Sequence, residues 1–432
     1  MGAKDAVLER LLESSAQFSD EQVAQTVELL LAHGIEHNAT DIHIEPHDRS
    51  VVVRYRIDGI LQTMHKLPSA ARSPMAAHLK ALAGLDTEET RLPQRGSFVI
   101  TVKGETADVS LSIMPVIGGE HIVLHLSSQN TGVQSLAELG LWGHSLAVTQ
   151  TALTRPQGLI LVAGPKRAGT AATLLSLTAT LNRPSISTIT LEEKIIARVP
   201  GITQTEVHST IPDALRAALH HDPNVIMMHD MPDQASIELA MQAANAGHVV
   251  LAGMHAQNAA QALLRMRAAG ISSFSLGLAL QLAIAQAQVP RLCAQCRVRH
   301  ALTDGERTAL EARFGIATAS ARKRVHELER QAIAADLGSG LPLSTTMHGI
   351  THVWRAKSGG CEICHHRGAR GQVLLSEIVA PTEHVRDALS KHPTESSLQA
   401  AAVKDGAVMI GLDGLIKALR GLAAIEDVAP IV

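Results

Sequence analysis

A doubly wound α/β core preceded by a smaller α+β domain is the fold class that this sequence predicts, and three observations carry the prediction. Four short, nearly continuous apolar runs lie between longer stretches of helical periodicity: GLILVAG from Gly158, ISTITL from Ile186, NVIMMHD from Asn224 and HVVLAGM from His248. Strands of a parallel sheet that are buried on both faces read in this way. Ahead of them, DIHIEPHDRSVVVRYRIDGIL and GSFVITVKGETADVSLSIMPVIGGEHIVLHL alternate β-branched and polar residues, the pattern of strands with one wet face. The length, 432 residues with 46% hydrophobic and 18% charged side chains, accommodates about three domains at roughly 150 residues each.

In chain order, the tail 1–19 carries Asp5, Glu9 and Glu13 and has no apolar stretch of signal-peptide length. Ser19-x-x-Gln22 is a capping box opening a helix with Val23, Val27, Leu30 and Leu31 on one face, ending near Gly34. Turns are expected at Asp58-Gly59, Lys103-Gly104 and Gly118-Gly119. Residues 20–127 therefore form a small α+β, PAS-like domain, and the polar segment 128–140 suits a linker. The core occupies 141–290. Its last stretch, Ala268 to Pro290, is uncharged but interrupted by Ser272, Ser273, Ser275, Gln281, Gln286 and Gln288, which suits a buried helix better than a membrane span. Segment 291–367 holds two cysteine pairs around a helical or mobile insertion rich in Arg, Ala and Glu. Segment 368–432 reads as mostly helical, with HPTESSLQAAAVKDG and GLDGLIKALRGLAAIEDV as the candidates.

Composition excludes some functions. The net charge of -3 gives no polyanion-binding surface, and four Phe, two Trp and one Tyr cannot furnish a platform for stacking bases. Nucleic acid is set aside as a partner. The four cysteines fall as Cys293-x-x-Cys296 and Cys361-x-x-Cys364, a spacing unlike a secreted disulfide framework and suited to a reducing compartment. Two such pairs supply four thiolates for a closed, structural Zn²⁺ site with no open position for catalysis. Free thiols or a redox pair are the alternatives. His365 and His366 stand beside Cys364 as substitute ligands, though four cysteines suffice.

GLILVAGPKRAGTAATLLSL places a glycine-containing loop between an apolar strand and a helix, where backbone N–H groups cradle phosphate in P-loops. The P-loop pattern is G-x-x-x-x-G-K-[ST], with the lysine reaching the β/γ-phosphates and the hydroxyl holding Mg²⁺. Gly164 and Gly169 have that separation, but Thr170 and Ala171 follow them. Both working side chains are replaced. Taken alone, the two glycines suit a structural strand-loop-helix turn better than a phosphate site.

The wider set of motifs resembles a family, the secretion ATPases of type II secretion systems and type IV pilus assembly. ATDIHIEP, VRYRIDG, RLPQ-x-G and PVIGGEHIVLHL resemble its N-terminal domain. GLILVAGP resembles its Walker A entry, ITLEE its acidic box, DPNVIMMHD its Walker B strand and AGHVVLAGMHA its histidine box. RLCAQC and GCEIC resemble its zinc-binding segment, and GARGQVLLSEI the stretch after that segment. The resemblance implies a RecA-like P-loop NTPase core, a smaller N-terminal domain and a C-terminal zinc-binding and helical segment. It further implies a cytoplasmic hexamer, peripheral at the inner-membrane face, that uses ATP hydrolysis to move a pilus or pseudopilus platform.

Matched position by position, the nucleotide loop is Gly164, Pro165, Lys166, Arg167, Ala168, Gly169, Thr170 and Ala171. The family's lysine falls on Thr170, its Mg²⁺-binding hydroxyl on Ala171 and one loop glycine on Arg167. Glu192 matches the acidic-box glutamate, and Glu193 replaces an aspartate. Asp230 stands where the family's glutamate polarises the attacking water, His229 replaces a neighbouring glycine, and Pro232 an arginine. His255 matches the histidine that senses the γ-phosphate, and His248 keeps the Gly-His pair. Arg54, Arg56 and Arg91 match arginines that the family brings toward nucleotide from the smaller domain. The other reading, that these arginines pair with Asp41, Glu45 or Asp58, stays open. Arg95 and Ser97 further alter the family's RLPQDGR phrase.

Removing one preorganised donor costs roughly 2.7–4 kcal/mol of transition-state stabilisation. The expectation is therefore a hydrolysis-deficient member with Zn²⁺ and weakly bound ATP, its Mg²⁺ site lacking the usual hydroxyl. It would act in assembly or regulation, as a homo-oligomer or in a mixed ring with an active paralogue, against an inner-membrane platform. Two alternatives remain: an active ATPase in which Lys166 or Arg167 supplies the cation from a shifted position, and a nucleotide-independent zinc scaffold.

Overall fold

The structure, a computed structural model, describes residues 19–431 apart from 38, 103–104, 129–131 and 392. The turn expected at Lys103-Gly104, the tail before Ser19 and part of the 128–140 linker lie outside the described residues. The chain divides into two compact units: residues up to Gly132 with Ile196–Arg198, and Val133–Ile195 with Val199 onward.

In the first unit, helix α1 (Asp20–Glu36) opens on the expected capping box. Ser19 Oγ accepts from the Gln22 backbone N–H at 3.3 Å, and Gln22 Oε1 accepts from the Ser19 N–H at 3.0 Å. The helix continues two residues past Gly34. Strands β1 (Ala39–His47), β2 (Ser50–Ile57) and β3 (Ile60–Pro68) precede helix α2 (Arg72–Leu82); β4 (Gln94–Val102), β5 (Glu105–Val116) and β6 (Gly119–Ser128) follow it. They form one antiparallel sheet in the order β3-β2-β1-β6-β5-β4. Strand alternation sends Ile42, Ile44, Val53, Tyr55, Ile122 and Leu124 into a core with Val27, Leu30 and Leu31. The Tyr55 hydroxyl donates to Leu30 O at 2.7 Å inside that core. The same alternation sends Asp41, His43, Glu45, Arg54, Arg56, His121 and His125 to the opposite face.

The second unit begins with α3 (Gly143–Ala152), β7 (Gly158–Gly164), α4 (Thr170–Leu181), β8 (Thr188–Glu192), β9 (Thr203–Glu206), α5 (Ile211–Leu219) and β10 (Val225–Met228). It continues with α6 (Gln234–Ala246), β11 (Val249–His255), α7 (Ala259–Ala268), α8 (Ser273–Ala279), β12 (Leu280–Leu292) and β13 (Val298–Ala301). The four apolar runs are strands β7, β8, β10 and β11, every residue of which is buried except His255. The sheet order is β17-β12-β7-β11-β10-β8-β9, parallel throughout except for β17. Parallel pairing aligns the carboxyl ends of β7, β11, β10 and β8 along one edge, where ligands of open α/β sheets bind.

Ala268 to Pro290 is not a buried helix. It is the end of α7, the short α8 and most of β12, a strand hydrogen-bonded on both edges. A run buried on both faces has no alternation to distinguish it from helix, and the backbone bonds available between β7 and β17 decide the matter.

The insertion after β12 carries α9 (Asp304–Arg313), α10 (Ala319–Ala334), β14 (Thr345–Thr346), β15 (Gly349–Ile350) and β16 (His352–Arg355). The chain then returns as β17 (Ala369–Val379), followed by α11 (Glu383–Ser390), α12 (Glu395–Lys404), α13 (Ile410–Leu419) and α14 (Ile425–Val428). Thus the segment after residue 368 also contributes a core strand. Glu377 on β17 accepts from the N–H groups of Ala259 at 2.8 Å and Ile410 at 3.2 Å, capping α7 and α13 with one carboxylate.

Helix α10 is fixed to the rest of the unit by a buried charge pair. Glu329 accepts from Ser344 N (2.8 Å), Thr345 N (3.0 Å), Thr345 Oγ1 (2.6 Å) and Arg420 Nη1 (3.3 Å). Arg420 also donates to the carbonyls of Leu337, Gly338, Leu341 and Pro342. Removing one partner strands the other's charge in the interior. Glu329→Ala is expected to cost about 3–5 kcal/mol in urea unfolding, while replacing both residues with apolar ones of similar volume recovers most of that loss.

Candidate functional site

The loop after β7 holds two residues in the left-handed region, a backbone feature of the nests that take anions. Gly169 stands at the N-cap of α4 with φ 79°, and Arg167 also occupies the left-handed region, at φ 67°. A side chain in that region costs roughly 1–2 kcal/mol, so the surrounding contacts hold the loop in this conformation although a glycine is absent. Ala168 N donates to Pro165 O at 3.1 Å, and from beneath, Gln286 Nε2 on β12 donates to Ala168 O at 2.7 Å. A Cβ on Gly169 would lie 2.5 Å from Gln288 Nε2, so β12 packs tightly under the loop.

Helix α4 offers its first N–H groups toward the loop, where an anion gains from the helix dipole. Its first two side chains are those of Thr170 and Ala171. Neither carries positive charge, and Ala171 has no oxygen for a metal. The cations of the loop, Lys166 and Arg167, are exposed.

The remaining candidates stand along the same sheet edge. His255 ends β11 opposite Gly164, and its Nδ1 lies 2.9 Å from Gly164 O, which fixes Nδ1 as the donor and leaves Nε2 as an acceptor in the neutral ring. Glu192 ends β8 and is buried, its Oε1 accepting from Thr190 Oγ1 at 2.6 Å and Gln204 Nε2 at 3.0 Å. Asp230 is half-buried just beyond β10. Its neighbour His229 has Nε2 3.7 Å from Glu193. A Cβ at position 253 would overlap the His229 carbonyl oxygen, so Gly253 lets the end of β10 close against β11. Glu192, Asp230, His255 and the loop thus share the carboxyl edge of one parallel sheet.

An open groove of about 750 Å³ runs beside the loop, lined by Pro165, Lys166, His255, Gln261, Leu264 and Arg265 among others, with no carboxylate. Arg265 donates to His255 O. Sequence reasoning did not single out Arg265, Gln261, Gln286 or Gln288 as site residues. For the last two the signal was present, as glutamines two apart in an apolar run.

Arg56 and Arg91 lie in the first unit. Arg56 Nε is 3.1 Å from Asp41 Oδ2, and its Nη1 donates to Gly59 O at 3.1 Å; Arg54 Nε donates to Glu45 Oε1 at 3.1 Å. Two of the arginines thus make the carboxylate pairs of the second reading. Arg91 sits in an exposed turn whose N–H donates to Glu89.

The four cysteines converge because β12 and β17 are antiparallel neighbours, with Leu292 opposite Ala369. The first pair follows one strand, the second precedes the other, and the insertion leaves and returns at one point. The Sγ separations are 3.8 Å for Cys293–Cys361, 3.8 Å for Cys296–Cys364 and 3.7 Å for Cys361–Cys364. A tetrahedron with Zn–S bonds of about 2.3 Å has edges of about 3.8 Å, so the sulfurs fit a zinc ion. The N–H groups of Cys361 (3.2 Å) and Gly368 (3.1 Å) donate to Cys364 Sγ. Burial raises the Cys364 thiol, but these donors and the neighbouring thiols outweigh it and bring it down to about 6. His365 and His366 are exposed, outside the cluster.

The fold and edge define an α/β, RecA-like core of the kind found in secretion ATPases. The X-ray structure of the Legionella pneumophila ATPase DotB matches with TM-score 0.64 at 16% identity, covering 98% of both chains. That of the pilus retraction motor PilT with bound ADP matches with TM-score 0.58 at 19% identity, covering 93% of this chain and 96% of the other. The chain itself belongs to the type II/IV secretion system protein family, whose model matches residues 16–429. It is 30% identical to type II secretion system protein E of Aeromonas hydrophila over 413 residues, covering 95% of this chain and 75% of the other. It is 28% identical to the type IV pilus assembly ATPase PilB of Myxococcus xanthus over 425 residues, covering 97% and 69%. No helix among the described residues is long and apolar enough to cross a membrane.

With the sulfurs so arranged, Cys364→Ser is expected to weaken and shift the thiolate-to-metal charge-transfer absorption of Co²⁺-loaded protein, three thiolates remaining, and to lower Tm by several degrees. An unchanged spectrum would exclude the four-thiolate site.

Proposed function

We propose that this chain is a ring subunit of a type II secretion or type IV pilus motor whose own centre is deficient in ATP hydrolysis, serving in assembly or regulation of the machine. One observation carries the reading: at the start of α4 the two side chains that would meet phosphate and metal are Thr170 and Ala171, above a loop whose backbone retains the phosphate-binding shape. Backbone N–H groups and the helix dipole bind an anion without assistance, so weak nucleotide binding is compatible with slow chemistry. Phosphoryl transfer is catalysed by positioning and charge stabilisation, and here the lysine is missing and Mg²⁺ has lost a ligand.

In this reading Asp230 is placed to orient water, Glu192 to act with Mg²⁺ and His255 to sense the γ-phosphate. Arg56, held by Asp41, belongs to the framework of its sheet. Zn²⁺ at the cysteine centre fixes the insertion and has no part in the chemistry. The subunit works in the cytoplasm, in a hexamer or a mixed ring with an active paralogue, against an inner-membrane platform. A second reading, an active ATPase with a displaced cation, has support in the groove where Lys166 and Arg265 flank His255.

Calorimetry with ATP, paired with phosphate release, separates these readings. Weak binding is expected, with release at least about 100-fold slower than in the Thr170→Lys/Ala171→Ser double variant, since one preorganised donor is worth about 10²–10³ in rate. Turnover by the natural sequence as fast as by the double variant, abolished by Lys166→Ala, establishes the displaced-cation enzyme instead. Absence of both binding and release establishes the scaffold.

A further inference from the structure

We propose that His43, Glu45 and His121, on the outer face of the first unit's sheet, form a binding site for a divalent transition-metal ion such as Zn²⁺, separate from the cysteine centre. β1 pairs antiparallel with β6, with Asp41 opposite His125, His43 opposite Val123 and Ile44 opposite Ile122. Continuing that register sets Glu45 beside His121, and alternation along β1 places His43 on the same face. One ligand atom from each of the three residues lies within 4.8 Å of the other two.

Ordinary pairing does not account for this cluster. His121 Nε2 is 3.8 Å from Glu45 Oε1, beyond hydrogen-bond distance, and the buried Nε2 has no hydrogen-bond partner. The His43 and His121 rings are 5.7 Å apart between centroids and tilted by 36°. On the same face, Asp41 and His125 show what a satisfied pair looks like: His125 Nδ1 is 2.5 Å from Asp41 Oδ1. Both of the Arg54 contacts to Glu45 are to Oε1; the other carboxylate oxygen, Oε2, has only His47 Nε2 near it, at 3.8 Å and beyond hydrogen-bond distance.

Tetrahedral ligand atoms each about 2.1 Å from one ion stand about 3.4 Å apart, so the spacing of 4.8 Å or less closes with side-chain shifts of up to about an ångström. Two imidazoles and a carboxylate suit Zn²⁺ or another borderline divalent ion, and suit Ca²⁺ or Mg²⁺ poorly. Three protein ligands leave coordination positions open to water or to a carboxylate from outside. Half-buried on the sheet face, the ion would be reachable from solvent and would tie together the sheet's two central strands.

The test is metal stoichiometry on the full chain, stripped with chelator and dialysed against Zn²⁺, then repeated with Co²⁺. The natural sequence is expected to hold two ions per chain, and His121→Asn and Glu45→Gln are each expected to hold one. Loss of a direct ligand should exceed the about 10–100-fold in affinity typical of losing a supporting contact. The His125→Asn control should still hold two. The thiolate-to-cobalt band reports that each variant remains folded at its cysteine centre. A single ion in the natural sequence overturns the site, and so does equal loss in His125→Asn, which would mean dispersed surface histidines.

Discussion

Strand β12 is hydrogen-bonded along both edges, parallel to β7 and antiparallel to β17, and both candidate centres of the second unit depend on it. At the level where the parallel strands end, it braces the phosphate-type loop from below through Gln286 and Gln288. Seven residues further on, about 23 Å at 3.3 Å per residue, it delivers Cys293. Because β17 returns antiparallel beside it, the second cysteine pair arrives at the same place. One strand thus ties the four-sulfur cluster to the sheet edge that carries the glycine loop through continuous backbone. The 13-residue length of β12 is what allows both tasks.

The loop it braces separates two properties that P-loops usually combine. The backbone cradle is an arrangement of dihedral angles, and it survives Arg167 in a glycine conformation because Gln286, Pro165 and the α4 N-terminus over-determine it. The chemistry belongs to side chains, and Thr170 and Ala171 cannot replace a long cation and a metal-binding hydroxyl. Backbone geometry and side-chain chemistry are thus set by different residues, which is what the proposed reading of this loop rests on. The same separation holds for Glu192, which is buried at the right edge yet held by Thr190 and Gln204.

Much of this was legible in the residues. The four core strands are apolar runs bounded by loops, the Ser19–Gln22 box states where α1 begins, and two Cys-x-x-Cys pairs name the four sulfurs that the structure clusters. Each strand run, the capping box and each Cys-x-x-Cys pair is local, within ten residues or fewer, and local chemistry decides it; the meeting of the two pairs, 68 residues apart, is not. Legibility failed for Ala268 to Pro290, because a segment buried on both faces carries no periodicity, and its glutamines read as helix polarity when they brace a loop. Arg54 and Arg56 were ambiguous for a related reason: an arginine alternating out of a strand is equally suited to a phosphate or to a carboxylate on the next strand. The sheet register places Glu45 and Asp41 within reach.

The sequence by itself determined the family, the presence of Thr170 and Ala171 directly after Gly169, and the identity of the four sulfurs. Those are matters of which atoms are present. Only the tertiary structure decided that β12 and β17 bring the cysteines onto tetrahedral edges, that β12 supports the nucleotide loop, and that His43, Glu45 and His121 converge. Each of these joins residues about 70 or more positions apart. Strand pairing, which is set by backbone hydrogen bonds rather than by side-chain pattern, is the physical agent that brings them together.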